Sequence, residues 1–434
     1  MRQSRKDFTD GREVALRSAP GIRADTSGLA ILHREHSIIC KILNISGKII
    51  PNSIMSSAFL RQEVEALPTC QLMDVHQWAH TMVRRYGRQS IAYQTLLPGV
   101  VLRAYPQLPA LVGYVERWHA RVVVGLPITP LESLQESMAI FEREAAEAGR
   151  SVCYFGVEEG DAACLGRRGR MRIGAQPIWI PGRWAQTLKQ HPSIHAQIRR
   201  ARNKGVEVHE WPLGCVSESR ALRACLRDWI SHHRLPPMHF LAEPDILAHL
   251  YDRRVFVAER EGVPVAFLIA TPIPKRKGWL VEQLIRGSSA PNGTSELLLD
   301  ALMGAVRGAE MVSLGLTPLT LQGKEEGVEA LWLRLVVRWA RMHGRRFYNF
   351  HGIEAFRARL APDRWENVYA VVNAPQFTQK DLFAIIAAFT QEPVSIYLMR
   401  ALFRAAQWEW RRGQEVVTRL SSLLSILKNR GKGC

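Results

Sequence analysis

The strand-like run "WLVEQLI" carries Glu282 and Gln283, ends beside Arg286, and leads through "PNGT" into the apolar, helix-spaced stretch "SELLLDALM". A turn at Pro291, Asn292 and Gly293, with Thr294 as N-cap, leaves the first amides of the following helix without backbone partners. Those amides and the helix dipole favour an anion by a fraction of a kcal/mol to about 1 kcal/mol. Glu282, Gln283 and Arg286 are expected close to the same end. A carboxylate, an amide and a guanidinium converging on a helix start can orient a phosphate and a hydroxyl together. The plainer alternative is a capped turn beside a surface ion pair, which contributes little.

A second constellation is basic. "QIRRARNKG" puts Arg199 and Arg202 on one helix face, one turn after His195, flanked by Arg200 and Lys204. Such a stripe grips phosphates of RNA or lipid, with an affinity that falls steeply with salt; its alternative is a solvated face. "RRGRMR" at 167 to 172 adds charge nearby in sequence. The tail segment "YLMRALFRAAQWEWRR" either lies in a membrane interface, with its basic residues toward anionic lipid, or docks its apolar stripe on the core.

The whole chain narrows the classes. Its 434 residues are 47% hydrophobic and 23% charged, enough for two or three soluble domains, and the net charge of +18 favours polyanionic partners. The seven cysteines show no CxxC pair and no zinc-like spacing, and read as reduced thiols of a cytoplasmic protein. The N-terminus lacks the apolar core of a signal peptide, and no run approaches the roughly 18 apolar residues of a membrane span. No Gly-Lys-Ser/Thr phosphate loop, GxSxG elbow or HExxH pair occurs. No metal or redox cofactor is expected.

Around these candidates, alternating patterns predict a mixed α/β (α+β) fold. Residues 1–74 form an extension of unknown role. A helix follows Asp74, and "SIAYQTLL", "ALVGYVER" and "ARVVVGLPI" read as strands. "TPLESLQESMAIFEREAAEAG" reads as a helix capped by Thr129, and "RSVCYFGV" as a buried strand. The helix opened by Pro192 and Ser193 ends at Gly205, before the strand "VEVHEW". "RVFVAEREGVPVAFLIATPI" is a hairpin, "MVSLGL" a strand, "GVEALWLRLVVRWARMHG" a long helix, and "RRFYNF" and "NVYAVVN" the last strands. Two similar β-β-β-α-β units in tandem account for this order, at 75–205 and 206–374, with a helical basic-amphipathic tail at 375–434. That core resembles acyl-CoA acetyltransferases, but their diphosphate-binding (Arg or Gln)-x-x-Gly-x-(Gly or Ala) stretch is absent, which argues against acyl-CoA as donor.

From about 75 to 373 the sequence resembles the C-terminal catalytic region of phosphatidylglycerol lysyltransferases and their alanyl counterparts. The resemblance lies in "RRYGRQSIAYQTL", "IRRARNKGVEV" and, most specifically, "EQLIRGSSAPNGTSELLLDALM", "VSLGLTPL" and "RRFYNFHGIEAFRARLAPDRWENVYAVVN". It implies two tandem acetyltransferase-like (GNAT) folds that use aminoacyl-tRNA and transfer the aminoacyl group to a hydroxyl of an anionic lipid, chemistry associated with antimicrobial peptide resistance. It implies that Arg286 binds the lipid phosphate or the oxyanion, helped by amides around Asn292 to Thr294. The matched blocks add Thr317, Tyr348 and Arg357 as substrate-binding candidates. Where the family usually has Asp three residues before this Arg, Gln283 stands here; where many members have Asp, Glu296 stands. Glutamine cannot act as a base, and Glu282, as its strand neighbour, is expected on the opposite face. The many-spanning membrane domain that often precedes this region is not present in the sequence, so a peripheral position on the inner face of the cell membrane is expected. The alternatives are aminoacyl transfer to an amine of a peptide or peptidoglycan precursor, and a degenerate pair of domains that only binds RNA or anionic membrane.

Overall fold

The computed structural model describes residues 75–231, 240, 246–247, 250–323, 332–335, 338, 341, 350–390, 396, 399–400 and 403. The first helix, α1 (Val75–Tyr86), buries Ala79, Met82 and Val83, the 3-to-4 spacing of one helical face. The strands β1 (Val101–Tyr105), β2 (Ala110–Arg117) and β3 (Ala120–Val124) form an antiparallel meander. Helix α2 (Leu134–Glu147) then crosses over to β4 (Ser151–Glu158), which lies parallel to β3. After β5 (Arg170–Trp179) come the basic helix α3 (Pro192–Asn203), β6 (Val206–Trp211) and α4 (Arg220–Ser231).

The succession then recurs. Strands β7 (Arg254–Arg260), β8 (Val263–Ile273) and β9 (Gly278–Arg286) form a second antiparallel meander, and α5 (Thr294–Ala305) crosses to β10 (Met311–Ser313), parallel to β9. The short β11 (Thr317–Pro318), helix α6 (Phe350–Arg359), β12 (Arg364–Val372) and α7 (Gln379–Thr390) follow. All the strands among the described residues join one twelve-stranded sheet in the order β1-β2-β3-β4-β12-β5-β10-β9-β8-β7-β6, with β11 beside β5. Strand β12 returns to lie antiparallel between β4 and β5, and β5 meets β10 antiparallel.

Helices cover both faces. Met138 and Phe141 of α2 pack with Val112, Val123 and Tyr154 on one side of the first meander, and Ala384 and Ile385 of α7 pack with Val122 and Phe155 on the other. Leu298 and Leu302 of α5 and Ile194 and Ile198 of α3 share a core with Leu268 and Val281, while Leu222 and Leu226 of α4 pack on Phe267, Ile269 and Ile285 of the opposite face. Strands buried on both faces lose polar alternation and become continuous apolar runs, as in "VAFLIA" of β8.

Three expectations are corrected. "SIAYQTLL" contains a 3-10 helix, Ala92–Leu96, all of it buried; its β-branched and aromatic content reflects burial, which composition cannot separate from strand pairing. Thr129 does not cap α2: a 3-10 turn, Leu131–Ser133, intervenes, and the buried Thr129 hydroxyl has no hydrogen-bond partner among the described residues. Phe350, placed in a strand by its alternation, opens α6. The rest of "RRFYNF", including Tyr348, and most of the long helix read at 327–344 lie outside the described residues.

Polar side chains tie the second meander to β4 and β12. Arg276, in the turn after β8, donates to Glu158 of β4 and, at 2.9 Å, to Glu366 of β12. Ser90 N also donates to Glu158 (2.7 Å), whose carboxyl burial pushes above its usual range against the opposing charge of Arg276. Nearby, Asp252 accepts from Tyr93 (2.7 Å) and lies 2.6 Å from His80 Nε2. Burial pushes the Asp252 carboxyl up, but these hydrogen bonds and the charges of His80 and Arg84 outweigh it and hold it below its usual range. A carboxyl depressed by folding contributes stability above its unfolded value, about 4, and loses it as pH falls through the folded value. Asp252→Asn is therefore expected to flatten the fall in urea stability between neutral and acidic pH; an unchanged slope would remove Asp252 from the acid response.

Candidate active site

Strand β9 delivers the predicted residues, and an irregularity within it decides where they go. Ile269 pairs with Gln283 but Ala270 pairs with Val281, so Glu282 is an extra, bulged residue. Val281 packs in the core beneath α3 and α5, and Leu284 packs against that core. Gln283 pairs with Ile269 of the opposite core, so it shares that face with Ile269. Glu282 is drawn to the same side, where it accepts from Thr271 Oγ1 (2.6 Å) and from Arg253 Nε (2.7 Å) and Nη2 (3.1 Å). The two charged side chains are only 3% and 5% exposed.

Arg286 goes the other way. It pairs with Ala266 of the α3–α5 core, and its Nη2 donates to the Ala290 carbonyl (2.8 Å) and to Asn292 Oδ1 (3.0 Å). The expected convergence of Glu282, Gln283 and Arg286 is thus corrected: the bulge shifts the alternation, and Arg286 is separated by the sheet from the other two. Adjacent strand residues do face opposite ways in regular pairing, but Glu282 and Gln283 share a face here because one of them is the extra residue.

The turn itself is built around Gly293. It is the N-cap of α5, with φ +95°, and Thr294, expected as the cap, is instead the first helical residue. Its fully buried hydroxyl donates to the Pro291 carbonyl (2.8 Å). The Thr294 amide donates to Pro291 O and the Leu297 amide to Gly293 O, while among the described residues the Ser295 and Glu296 amides find no acceptor. Ser288 N, in the same loop, donates to Asp228 of α4 (2.6 Å).

A Cβ on Gly293 would lie 2.0 Å from the Gln197 carbonyl of α3, so the turn is pressed directly onto the basic helix. Both the positive φ and the contact call for glycine. Gly293→Ala is expected to lower stability by roughly 1–3 kcal/mol, as overpacking does, measured by urea unfolding; a neutral result would show that α3 yields freely. Asp300 of α5 fixes the same contact by accepting from Trp184 Nε1 (3.0 Å) and Arg202 Nη2 (2.8 Å). Arg202 is therefore turned toward α5, away from the stripe it was expected to share with Arg199. Arg199, Arg200 and Lys204, with Ala196 and Asn203, line an open hollow of about 360 Å³. None of the three cations has a carboxylate partner among the described residues, and Arg200 only donates to Gln197 Oε1 (3.3 Å). Arg286 likewise has no carboxylate partner among them. Glu296 lies one turn before Asp300, on the flank of α5 that faces α3.

Thr317 and Arg357 meet each other. Arg357 Nη1 donates to the buried Thr317 Oγ1 (2.7 Å) and to Gly315 O (3.0 Å), tying α6 to the segment after β10. The sequence reading missed Arg253, Thr271 and Asp228, whose positions reveal no pattern until strand pairing brings them to β9 and its loop. Among the described residues, no three His, Cys, Asp or Glu side chains lie close enough to hold a metal ion, and no helix is long and apolar enough to cross a membrane.

The fold is a mixed α/β one with a single large sheet and paired meander-crossover units, and its β9–α5 turn is an open, cationic helix start. The family model for the phosphatidylglycerol lysyltransferase C-terminal region matches residues 80–372, and the chain belongs to that family. Its function is accordingly phosphatidylglycerol lysyltransferase-like. The chain is similar in structure to the C-terminal domain (DUF2156) of a protein assigned as a lysylphosphatidylglycerol synthetase from Agrobacterium fabrum. That likeness has a TM-score of 0.61 at 18% identity, over 73% of this chain and 96% of that one. It is also similar to L-PGS from Bacillus licheniformis, with a TM-score of 0.58 at 18% identity, over 72% and 95%. No curated protein sequence matches the chain.

Proposed function

We propose that the chain is an aminoacyl-tRNA-dependent transferase that moves an aminoacyl group onto a hydroxyl of an anionic membrane lipid such as phosphatidylglycerol, at the inner face of the cell membrane. The observation that carries this reading is the Arg286 guanidinium, held beside Asn292 and the α5 start with no carboxylate among the described residues to neutralise it. A site of this kind suits a lipid phosphate or a developing oxyanion. The basic hollow of α3 touches the same turn through Gln197 and Gly293, so phosphates of a tRNA held at Arg199, Arg200 and Lys204 would lie along the same flank. In this reading the unit at 206–374 carries the site, with the unit at 75–205 packed beside it.

The chemistry asks for positioning more than for activation. The aminoacyl ester is already reactive: the lipid hydroxyl oxygen attacks its carbonyl carbon, the tetrahedral oxyanion forms, and the bond to the tRNA ribose oxygen breaks. The proton leaves the lipid hydroxyl and ends on the departing ribose oxygen. Arg286 and the free amides of Ser295 and Glu296 steady the oxyanion. Glu282 is closed in its pair with Arg253, and Glu296, in the first turn of α5, carries the proton in this reading.

A second reading, binding of RNA or membrane without transfer, is favoured by Gln283 and by the closed Glu282. One experiment separates the two. Purified protein is incubated with charged total tRNA bearing labelled amino acids and with a lipid extract. Label in the chloroform phase supports lipid transfer; label in a peptide fraction moves the acceptor to an amine; salt-sensitive tRNA or vesicle binding with no transfer supports the second reading.

A further inference from the structure

The atoms that hold Arg286 belong to a loop, and the loop must itself be held. Residues 287–293 join β9 to α5, with Ser288 and Ser289 exposed. They supply the Ala290 carbonyl and Asn292 Oδ1, to which Arg286 Nη2 donates. The far end of the loop is fixed by Gly293 against α3 and by the Pro291 carbonyl, which accepts from Thr294. The near end is fixed from the other side of the sheet. Asp228 of α4 accepts from the Ser288 amide at 2.6 Å, and α4 packs on Phe267, Ile269 and Ile285, the face away from Arg286.

The contact is closely fitted. The Gly287 amide donates to the Val265 carbonyl (3.0 Å). A Cβ on Gly287 would stand 2.9 Å from that oxygen, 3.3 Å from Cys225 Sγ and 3.4 Å from Asp228 Oδ2, so the loop runs against α4 where a side chain has no room. The Ala290 amide donates to the Gly287 carbonyl (3.2 Å), which closes a β-turn with Ser288 inside it. The last residue of that turn presents its carbonyl to Arg286. Asp228 itself lies in the last turn of α4, Arg220–Ser231, where the helix dipole disfavours a carboxylate. What the dipole takes away is offset by a charge-assisted bond to a backbone amide outside the helix.

We infer that Asp228 is a positioning residue for Arg286: by holding the Ser288 amide it sets the Gly287–Ala290 turn, and through the Ala290 carbonyl it aims the guanidinium. It acts through the backbone and touches no substrate. The inference rests on the reading that Arg286 holds an anion during aminoacyl transfer, and it adds a second element, α4, to the parts that make that site.

The test measures transfer by the full chain carrying Asp228→Ala or Asp228→Asn, each alone and together with Arg286→Ala. Asp228→Ala should lower kcat/KM about tenfold or more, since a displacement of about 1 Å at a reacting centre costs up to about 100-fold. Asp228→Asn, which keeps a carbonyl oxygen for the Ser288 amide, should retain most of the activity. Asp228→Ala/Arg286→Ala should be no slower than Arg286→Ala alone, because the effect passes through Arg286. Losses that multiply overturn the proposal, as do wild-type transfer by folded Asp228→Ala and an equal loss in Asp228→Asn. If Asp228→Ala does not fold, Asp228→Ser, too short to reach the amide, takes its place; if the Ser and Asn variants also fail to fold, Asp228 serves the fold alone and the proposal is overturned.

A second readout needs no substrate. Phenylglyoxal modification of Arg286, read by peptide mass spectrometry with Arg199 as internal reference, should run about threefold faster or more in Asp228→Ala, because the hydrogen bonds that hold Nη2 are loosened. An unchanged rate overturns the proposal. Absence of wild-type transfer together with this acceleration defeats the transfer reading and leaves the positioning role standing.

Discussion

Arg286→Ala is expected to lower kcat/KM for aminoacyl transfer by about 100-fold or more, the loss that follows removal of one preorganised oxyanion donor, while the urea midpoint stays near wild type. The structural cost is small because the side chain is exposed and, among the described residues, bonds to the Ala290 carbonyl and to Asn292. Arg286→Lys keeps the charge but loses the planar fork that reaches a loop carbonyl and an anion together, so it should recover activity only in part. The split between constants tells which anion is held. A rise in KM for lipid with kcat preserved assigns Arg286 to the phosphate of the ground state; an equal fall in kcat and kcat/KM assigns it to the oxyanion. Wild-type transfer by Arg286→Ala would remove the β9–α5 turn from the chemistry.

How much of this was legible beforehand follows from which signals are local. The β9 run, the Pro-Asn-Gly turn and α5 appear as one readable block because strand alternation, turn residues and helix spacing each act over a few neighbours. The basic helix α3 was legible for the same reason, from Pro192 to Gly205. Its contact with Gly293 was not, since nothing in "QIRRARNKG" announces a carbonyl at 2.0 Å from a Cβ that glycine lacks. Strand β12 shows the limit on the scale of the fold: "NVYAVVN" reads as a strand, but its place between β4 and β5 depends on pairing across some two hundred residues of chain. Likewise the bulge at Glu282 exists only relative to the partner strand β8. One extra residue redirected a candidate base into a buried pair.

That pair carries the largest expected effect on stability. Glu282 and Arg253 are desolvated together, and Thr271 occupies a further carboxylate lone pair. Removing one member leaves the other charge buried without its counter-ion, at a cost of about 3–5 kcal/mol. Arg253→Ala should accordingly shift the urea midpoint strongly and move transfer only as far as unfolding does. Glu282→Gln strands Arg253 in the same way, although the amide retains one acceptor for Thr271 or Arg253. The double change Arg253→Met/Glu282→Leu removes both charges for similar volume and is expected to recover much of the loss, because no ion is left behind in the core. A catalytic Glu282 would behave in the opposite manner: Glu282→Gln would fold as stably as wild type and lose transfer, and the double variant would restore nothing. Stability and transfer measured on the same three proteins therefore decide whether the bulge in β9 serves to hold the two charged side chains in register beside Thr271 or to present an acid to the substrate.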